Sequence, residues 1–123
     1  MPDSNFIILY VENPSHSVEF YSTLLEKSPV ENSPNFALFV LDSGMKFGLW
    51  QKQDVQPAVE TLGISGEIAF PLPDKAEVSR IYHRWQDRGL TMIQEPTAME
   101  FGYTFVSLDP DGNRLRVFSP AES

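Results

Sequence analysis

Few side chains in this 123-residue chain could do chemistry, and their spacing narrows the set further. Arg114 and Arg116 follow the stretch SLDPDGN and alternate with Leu115 and Val117. Alternation puts both arginines on one face of a strand, where a guanidinium can face water, pair with a carboxylate or hold a polar ligand. The paired carboxylates Asp109 and Asp111 lie inside a turn, where Asp is expected for backbone reasons, so they are not read as an acid–base pair. The two histidines, His16 and His83, form no H-x-x-x-H pair, and there is no cysteine to act as nucleophile, disulfide or zinc ligand. No P-loop, Rossmann glycine pattern or G-x-S-x-G occurs. Trp50, closing KFGLWQ, offers a large rigid plane for stacking. What remains is binding chemistry, and no catalytic residue is assigned.

The elements that must carry these residues form the same unit twice. NFIILYVEN predicts a strand over Phe6–Val11, after which Asn13 caps a helix with Pro14 at its first position. Val18, Tyr21 and Leu25 recur at helical spacing, and strands near 36–41 and 45–51 flank a turn at Ser43–Gly44. GEIAFPLPD then restarts the pattern. Asp74 caps a second helix with Glu77 three residues on, and Val78, Ile81, Tyr82 and Trp85 form its apolar face. Gly89 ends that helix, TMIQE is a short strand, and the chain closes on a hairpin whose turn is DPDGN. The grammar is β-α-β-β-β twice: an α+β single domain with repeats at 5–51 and 67–119, and a Pro-, Gly- and polar-rich linker at 52–66. Asn13 matches Asp74, Tyr21 matches Tyr82 and Gly44 matches Gly112.

The two faces of the first and last strands differ. One carries Ile7, Leu9, Val11, Phe47, Leu49, Ile68, Phe70, Leu72, Leu115 and Val117, all apolar, and should pack on the helices. The other carries Phe6, Ile8, Tyr10, Lys46, Gly48, Trp50, Glu67, Ala69, Pro71, Arg114, Arg116 and Phe118. This mixture of aromatic, small and charged groups suits a pocket better than a solvated surface, which would rarely carry so many aromatics.

A formal net charge of −8 disfavours nucleic acid and anionic membrane surfaces as partners. Hydrophobic residues at 41% and charged residues at 21% are those of a globular protein with a sizeable core. The N-terminus lacks the basic and apolar segments of a signal peptide, and no apolar stretch could span a bilayer, so a soluble cytoplasmic protein is expected.

The doubled β-α-β-β-β unit, the helix opening NPSHSVEFYSTLL and the terminal DPDGNRLRVF resemble the vicinal oxygen chelate superfamily of glyoxalase I, extradiol dioxygenases and bleomycin-type resistance proteins. The resemblance covers nearly the whole chain. LYVEN, KFGLW and FGYTFVSLDPDGNRLRV look most like the phenazine-antibiotic resistance proteins, which bind a drug without transforming it. It implies curved mixed sheets around a cleft with helices outside, and a homodimer whose clefts are shared between chains.

Enzymes of the superfamily hold a divalent metal on four strands. The resemblance places those positions at Phe6, Gly48, Glu67 and Arg116, of which only Glu67 could ligate. His16 and His83 fall on helices and are read as surface or half-buried residues. No metal or other cofactor is therefore expected, and Glu67 and Arg116 should form an ion pair where a metal would otherwise sit. The resemblance implies that Trp50 stacks on a planar ligand and that Tyr103 lines the pocket, with Phe36 as its equivalent in the first repeat. Phe101 falls in a loop beside Gly102, and Tyr10, Phe6 and Phe118 complete the aromatic face, whereas Trp85 is read as core. The expected function is metal-free sequestration of a planar aromatic compound, an antibiotic of phenazine type. The alternative is a metal-dependent glyoxalase-like lyase or isomerase, or a dioxygenase.

Overall fold

The computed structural model describes residues 3–56, 58 and 67–121. The chain divides into two compact units, Met1–Gly63 and Ile64–Ser123. Of the expected linker 52–66, residues 57 and 59–66 lie outside the described set. Among the described residues two helices and eight strands make two four-stranded mixed sheets, the α+β arrangement expected of two β-α-β-β-β repeats.

In the first unit β1 (Phe6–Val11) leads into α1 (Pro14–Leu25), followed by β2 (Glu31–Ser33), β3 (Phe36–Val40) and β4 (Lys46–Gln51). The helix starts where the sequence places it: the Asn13 side chain accepts the His16 N–H at 3.2 Å, and Pro14 occupies the first turn, where its missing N–H costs nothing. It stops at Glu26, a left-handed residue with φ 56°, whose N–H turns back to the Ser22 carbonyl. The strand order is β1-β4-β3-β2, with β1 parallel to β4 and the other pairs antiparallel. One face packs on α1. There Tyr21 is fully buried and meets Phe47 edge-on at 4.8 Å, with Phe39, Leu49 and Val11 around them. Burying each such side chain contributes about 1.5–3 kcal/mol.

The second unit repeats this order with β5 (Glu67–Pro71), α2 (Lys75–Asp87), β6 (Met92–Met99), β7 (Gly102–Leu108) and β8 (Arg114–Pro120), arranged β5-β8-β7-β6. Asp74 accepts the Glu77 N–H at 2.9 Å and fixes the start of α2. Trp85 is core, as expected: it is buried edge-on against Phe105 at 5.4 Å and Phe70 at 6.0 Å. The β7–β8 turn is held by Asp109, a buried carboxylate that accepts from the N–H groups of Asp111 and Asn113 and from the Asn113 side chain. Its role is backbone chemistry.

Three details depart from the sequence reading. The strand β2 is only three residues, ENS, all exposed, so it carries no apolar alternation to announce it. TMIQE extends to Met99, through Pro96 and two register irregularities. And Ile7 keeps 37% exposure despite its helix-facing parity, because β1 is an edge strand of its sheet.

Candidate ligand-binding site

In each unit the candidate residues, Tyr103 excepted, lie on the sheet face turned away from the helix. In the first, register sets the rows. Tyr10, Trp50 and Phe36 are successive partners across β1, β4 and β3; Ile8, Gly48 and Leu38 form the next row; Phe6, Lys46 and Val40 the third. Four of the predicted residues, Phe6, Tyr10, Phe36 and Trp50, are thereby brought together on one face. Trp50 meets Tyr10 at 6.4 Å and Phe36 at 6.5 Å, both close to perpendicular. The Lys46 ammonium lies 6.0 Å from the Phe6 ring centre. Gly48 is buried beneath two of these rings: a Cβ there would stand 3.1 Å from Phe36 Cζ and 3.3 Å from Phe6 Cε1. Glycine at this position lets the aromatic rings settle on the backbone.

The second unit uses the same register for different chemistry. Just as Phe6 reaches one row along to Gly48, Glu67 reaches one row along to Arg116, because Glu67 pairs with Arg114 and Arg116 with Ala69. The Arg116 Nε donates to the Glu67 carboxylate, forming the expected ion pair. Its Nη1 donates to the Thr104 hydroxyl at 3.2 Å, and the Phe101 ring covers the guanidinium at 5.6 Å. Thr104 Oγ1 in turn donates to the Val117 carbonyl at 2.9 Å, so the network is anchored to the sheet. Phe118 shares this face and meets Phe101 at 6.1 Å. Arg114, nearest the turn, is exposed.

Tyr103 is not brought to this face. It pairs with Ser119, whereas Thr104 pairs with Phe118, so Tyr103 points to the helix side. There the Lys75 ammonium lies 5.9 Å from its ring, beside a cavity of about 180 Å³ also lined by Met99, Ser119 and Pro120. The counterpart of Phe36 is Thr104, since Phe36 pairs with Trp50 as Thr104 pairs with Phe118. The expected equivalence of Tyr103 with Phe36 is off by one residue, and one residue reverses the face of a strand. Thr104, a plain small polar residue in FGYTF, gave no signal of its own.

A divalent metal does not fit the residues at the four positions where the resemblance implies metal ligands. Phe6 and Gly48 offer no donor, and the rings over Gly48 fill the space a ligating side chain would use. Glu67 is engaged by a guanidinium, which competes with any cation. Among the described residues no group of three His, Asp or Glu side chains could hold an ion, and His16 and His83 are exposed on their helices.

The family model described as Glyoxalase/Bleomycin resistance protein/Dioxygenase superfamily matches residues 4–117. The phenazine antibiotic resistance protein EhpR of Enterobacter agglomerans is 31% identical over 116 residues, spanning 92% of this chain and 88% of that protein. The solution structure of protein ATC0852 from Agrobacterium tumefaciens is 48% identical with a TM-score of 0.90, over 99% of this chain and all of that one. A glyoxalase/bleomycin resistance protein/dioxygenase from Nocardioides shares the fold, with a TM-score of 0.85 at 24% identity over 100% of this chain and 86% of that one. With the doubled unit and its shared register, these matches lead to one assignment: the chain belongs to the glyoxalase/bleomycin resistance protein/dioxygenase superfamily.

Proposed function

We propose that this protein binds and sequesters a planar aromatic small molecule, an antibiotic of phenazine type, without metal and without chemical turnover. The observation that carries the reading is the treatment of the superfamily's metal positions: aromatic rings close over Gly48 in one repeat, and Glu67 and Arg116 neutralise each other in the other. Flat apolar surfaces with a few placed polar groups are what a planar ligand needs. Likeness to a phenazine antibiotic resistance protein supports a role in resistance. Trp50 is the stacking platform in this reading, with Tyr10 and Phe36 bracing the indole. Assembly as a homodimer, each cleft drawing on both chains, and residence in the cytoplasm belong to the same proposal. Among the described residues no helix is long and apolar enough to cross a membrane.

The test is a tryptophan fluorescence titration with phenazines, with and without chelator, on protein assayed for bound metal. Saturable one-to-one quenching, indifferent to chelator, is expected, and it should survive Trp85→Phe because Trp85 belongs to the core. No quenching by any phenazine, together with a stoichiometric divalent metal and turnover of a glyoxalase- or dioxygenase-type substrate, would sink the reading in favour of a metal enzyme.

A further inference from the structure

Three hydroxyl-bearing residues are buried on β7 and β8 of the second unit: Thr104, Ser107 and Ser119. Thr104 Oγ1 donates to the Val117 carbonyl at 2.9 Å, and Ser107 Oγ to the Thr91 carbonyl at 2.8 Å. Ser119 Oγ has no hydrogen-bond partner among the described residues, although the residue keeps only 3% of its surface. Buried polar side chains are seldom left unsatisfied. The place of this hydroxyl is unusual too. Alternation along β8 puts Leu115, Val117 and Ser119 on the helix side, and the first two are fully apolar core. Ser119 ends that apolar row with a polar group, and it does so on the wall of a cavity.

The cavity, of about 180 Å³, lies at the N-terminal end of α2, and every residue lining it belongs to the second unit. Register explains the space. Ala98, Tyr103 and Ser119 form one row across β6, β7 and β8, so the Tyr103 ring stands between two small side chains. Cross-strand partners hold their Cβ atoms about 4.5–5.5 Å apart, which sets the Ser119 hydroxyl beside that ring. The exposed Lys75 ammonium lies 5.9 Å from the ring centre and, among the described residues, has no carboxylate partner. The positive end of α2 adds to its charge. Met99 and Pro120 supply apolar wall. We propose that this cavity binds a small monocarboxylate with a short apolar tail. Lys75 Nζ and the Ser119 hydroxyl donate to its carboxylate, and the tail lies against Met99 and Pro120. The volume matches about six waters at roughly 30 Å³ each, too little for a drug-sized ligand, whose sites run to roughly 300–1,000 Å³. Asp74 also borders the cavity, with Oδ1 committed to the Glu77 N–H. Its negative charge makes a dianion such as phosphate the poorer match. This site lies on the opposite face of the sheet from the Glu67–Arg116 pair and needs neither Trp50 nor a phenazine.

Amide chemical-shift titration of the isotope-labelled protein with sodium butyrate, at constant ionic strength, tests this. Saturable shifts are expected around the cavity, at Lys75, Ala76, Ala98, Tyr103 and Ser119. Butyramide, equal in size but uncharged, and inorganic phosphate should each bind at least about tenfold more weakly than butyrate. Lys75→Met and Ser119→Ala should each weaken butyrate about tenfold, the worth of one hydrogen bond to a charged group. Both variants should keep the wild-type melting temperature, because Lys75 is exposed and the Ser119 hydroxyl bonds nothing among the described residues. Should Ser119→Ala not fold, Lys75→Met and the butyramide comparison decide the matter. Shifts that stay linear in butyrate, or that map elsewhere, mean that water alone meets the hydroxyl, and they overturn the inference. So do equal affinities for butyrate and butyramide, tighter binding of phosphate, or butyrate affinity unchanged in either folded variant. Phenazine binding is decided separately, by the fluorescence titration above.

Discussion

Trp50 is held half-buried by Tyr10 and Phe36, both of which meet it near perpendicular, and among the described residues no ring lies parallel to the indole. A planar ligand would supply the parallel partner that the protein does not. Trp50→Ala should therefore weaken phenazine binding by about 1–3 kcal/mol, by analogy with aromatic stacking platforms, and leave the unfolding midpoint in urea nearly unchanged. Calorimetry on the variant reads the first and chemical denaturation the second; undiminished affinity would remove Trp50 from the site. This residue was legible in the sequence because KFGLWQ alternates cleanly. So were Glu67 and Arg116, whose ion pair needs only two parallel edge-to-neighbour strands and the right parity. Thr104 was not legible: nothing in FGYTF marks it as the partner of an arginine, and its face follows from the β7–β8 register.

At the scale of the element, strand β7 shows how a single position sets a face. Gly102 opens it with φ 150°, and a Cβ there would stand 1.9 Å from the Ser119 carbonyl oxygen. The close approach of backbone to backbone locks the β7–β8 register, and hence puts Thr104 on the arginine side and Tyr103 on the helix side. Gly102→Ala should cost roughly 3 kcal/mol or more, since both clash and strain act. Gly44→Ala, at φ 90° with nothing within 4 Å of its Cβ, should cost only about 1–2 kcal/mol. Thermal melts of the two variants side by side check the contrast; equal losses would mean that backbone angle alone matters. The helices and hairpins were predictable from caps and turn residues such as Asn13, Asp74 and Asp109, which act locally. The start of β7 was not, because the constraint on Gly102 comes from Ser119, seventeen positions away in the chain.

For the molecule as a whole, the two repeats share topology and register but have diverged in content. Phe6, Gly48 and Phe36 make an aromatic bed, while Glu67, Arg116 and Thr104 in the matching places make a hydrogen-bonded network. Charge adds a measurable consequence. With −8 per chain, two copies repel each other, and screening is stronger at higher ionic strength. Homodimer formation should therefore tighten as salt rises from about 0.01 to 0.15 M, where the screening length falls from roughly 30 to 8 Å. Sedimentation at several protein concentrations reads this, and a monomer at every concentration and salt would exclude the dimer. The outer strands of the two sheets carry a different consequence. An open strand edge is a template on which other chains can polymerise. The two sheets have four edges, β1 and β2 in one and β5 and β6 in the other; of these, β2 is three exposed polar residues with Glu31 at its head, and β6 is bent twice and interrupted by Pro96. Neither β2 nor β6 offers the long, flat ladder that fibril growth requires, so the short polar strand and the kinked one each guard their end of a sheet against amyloid-like stacking in a crowded solution.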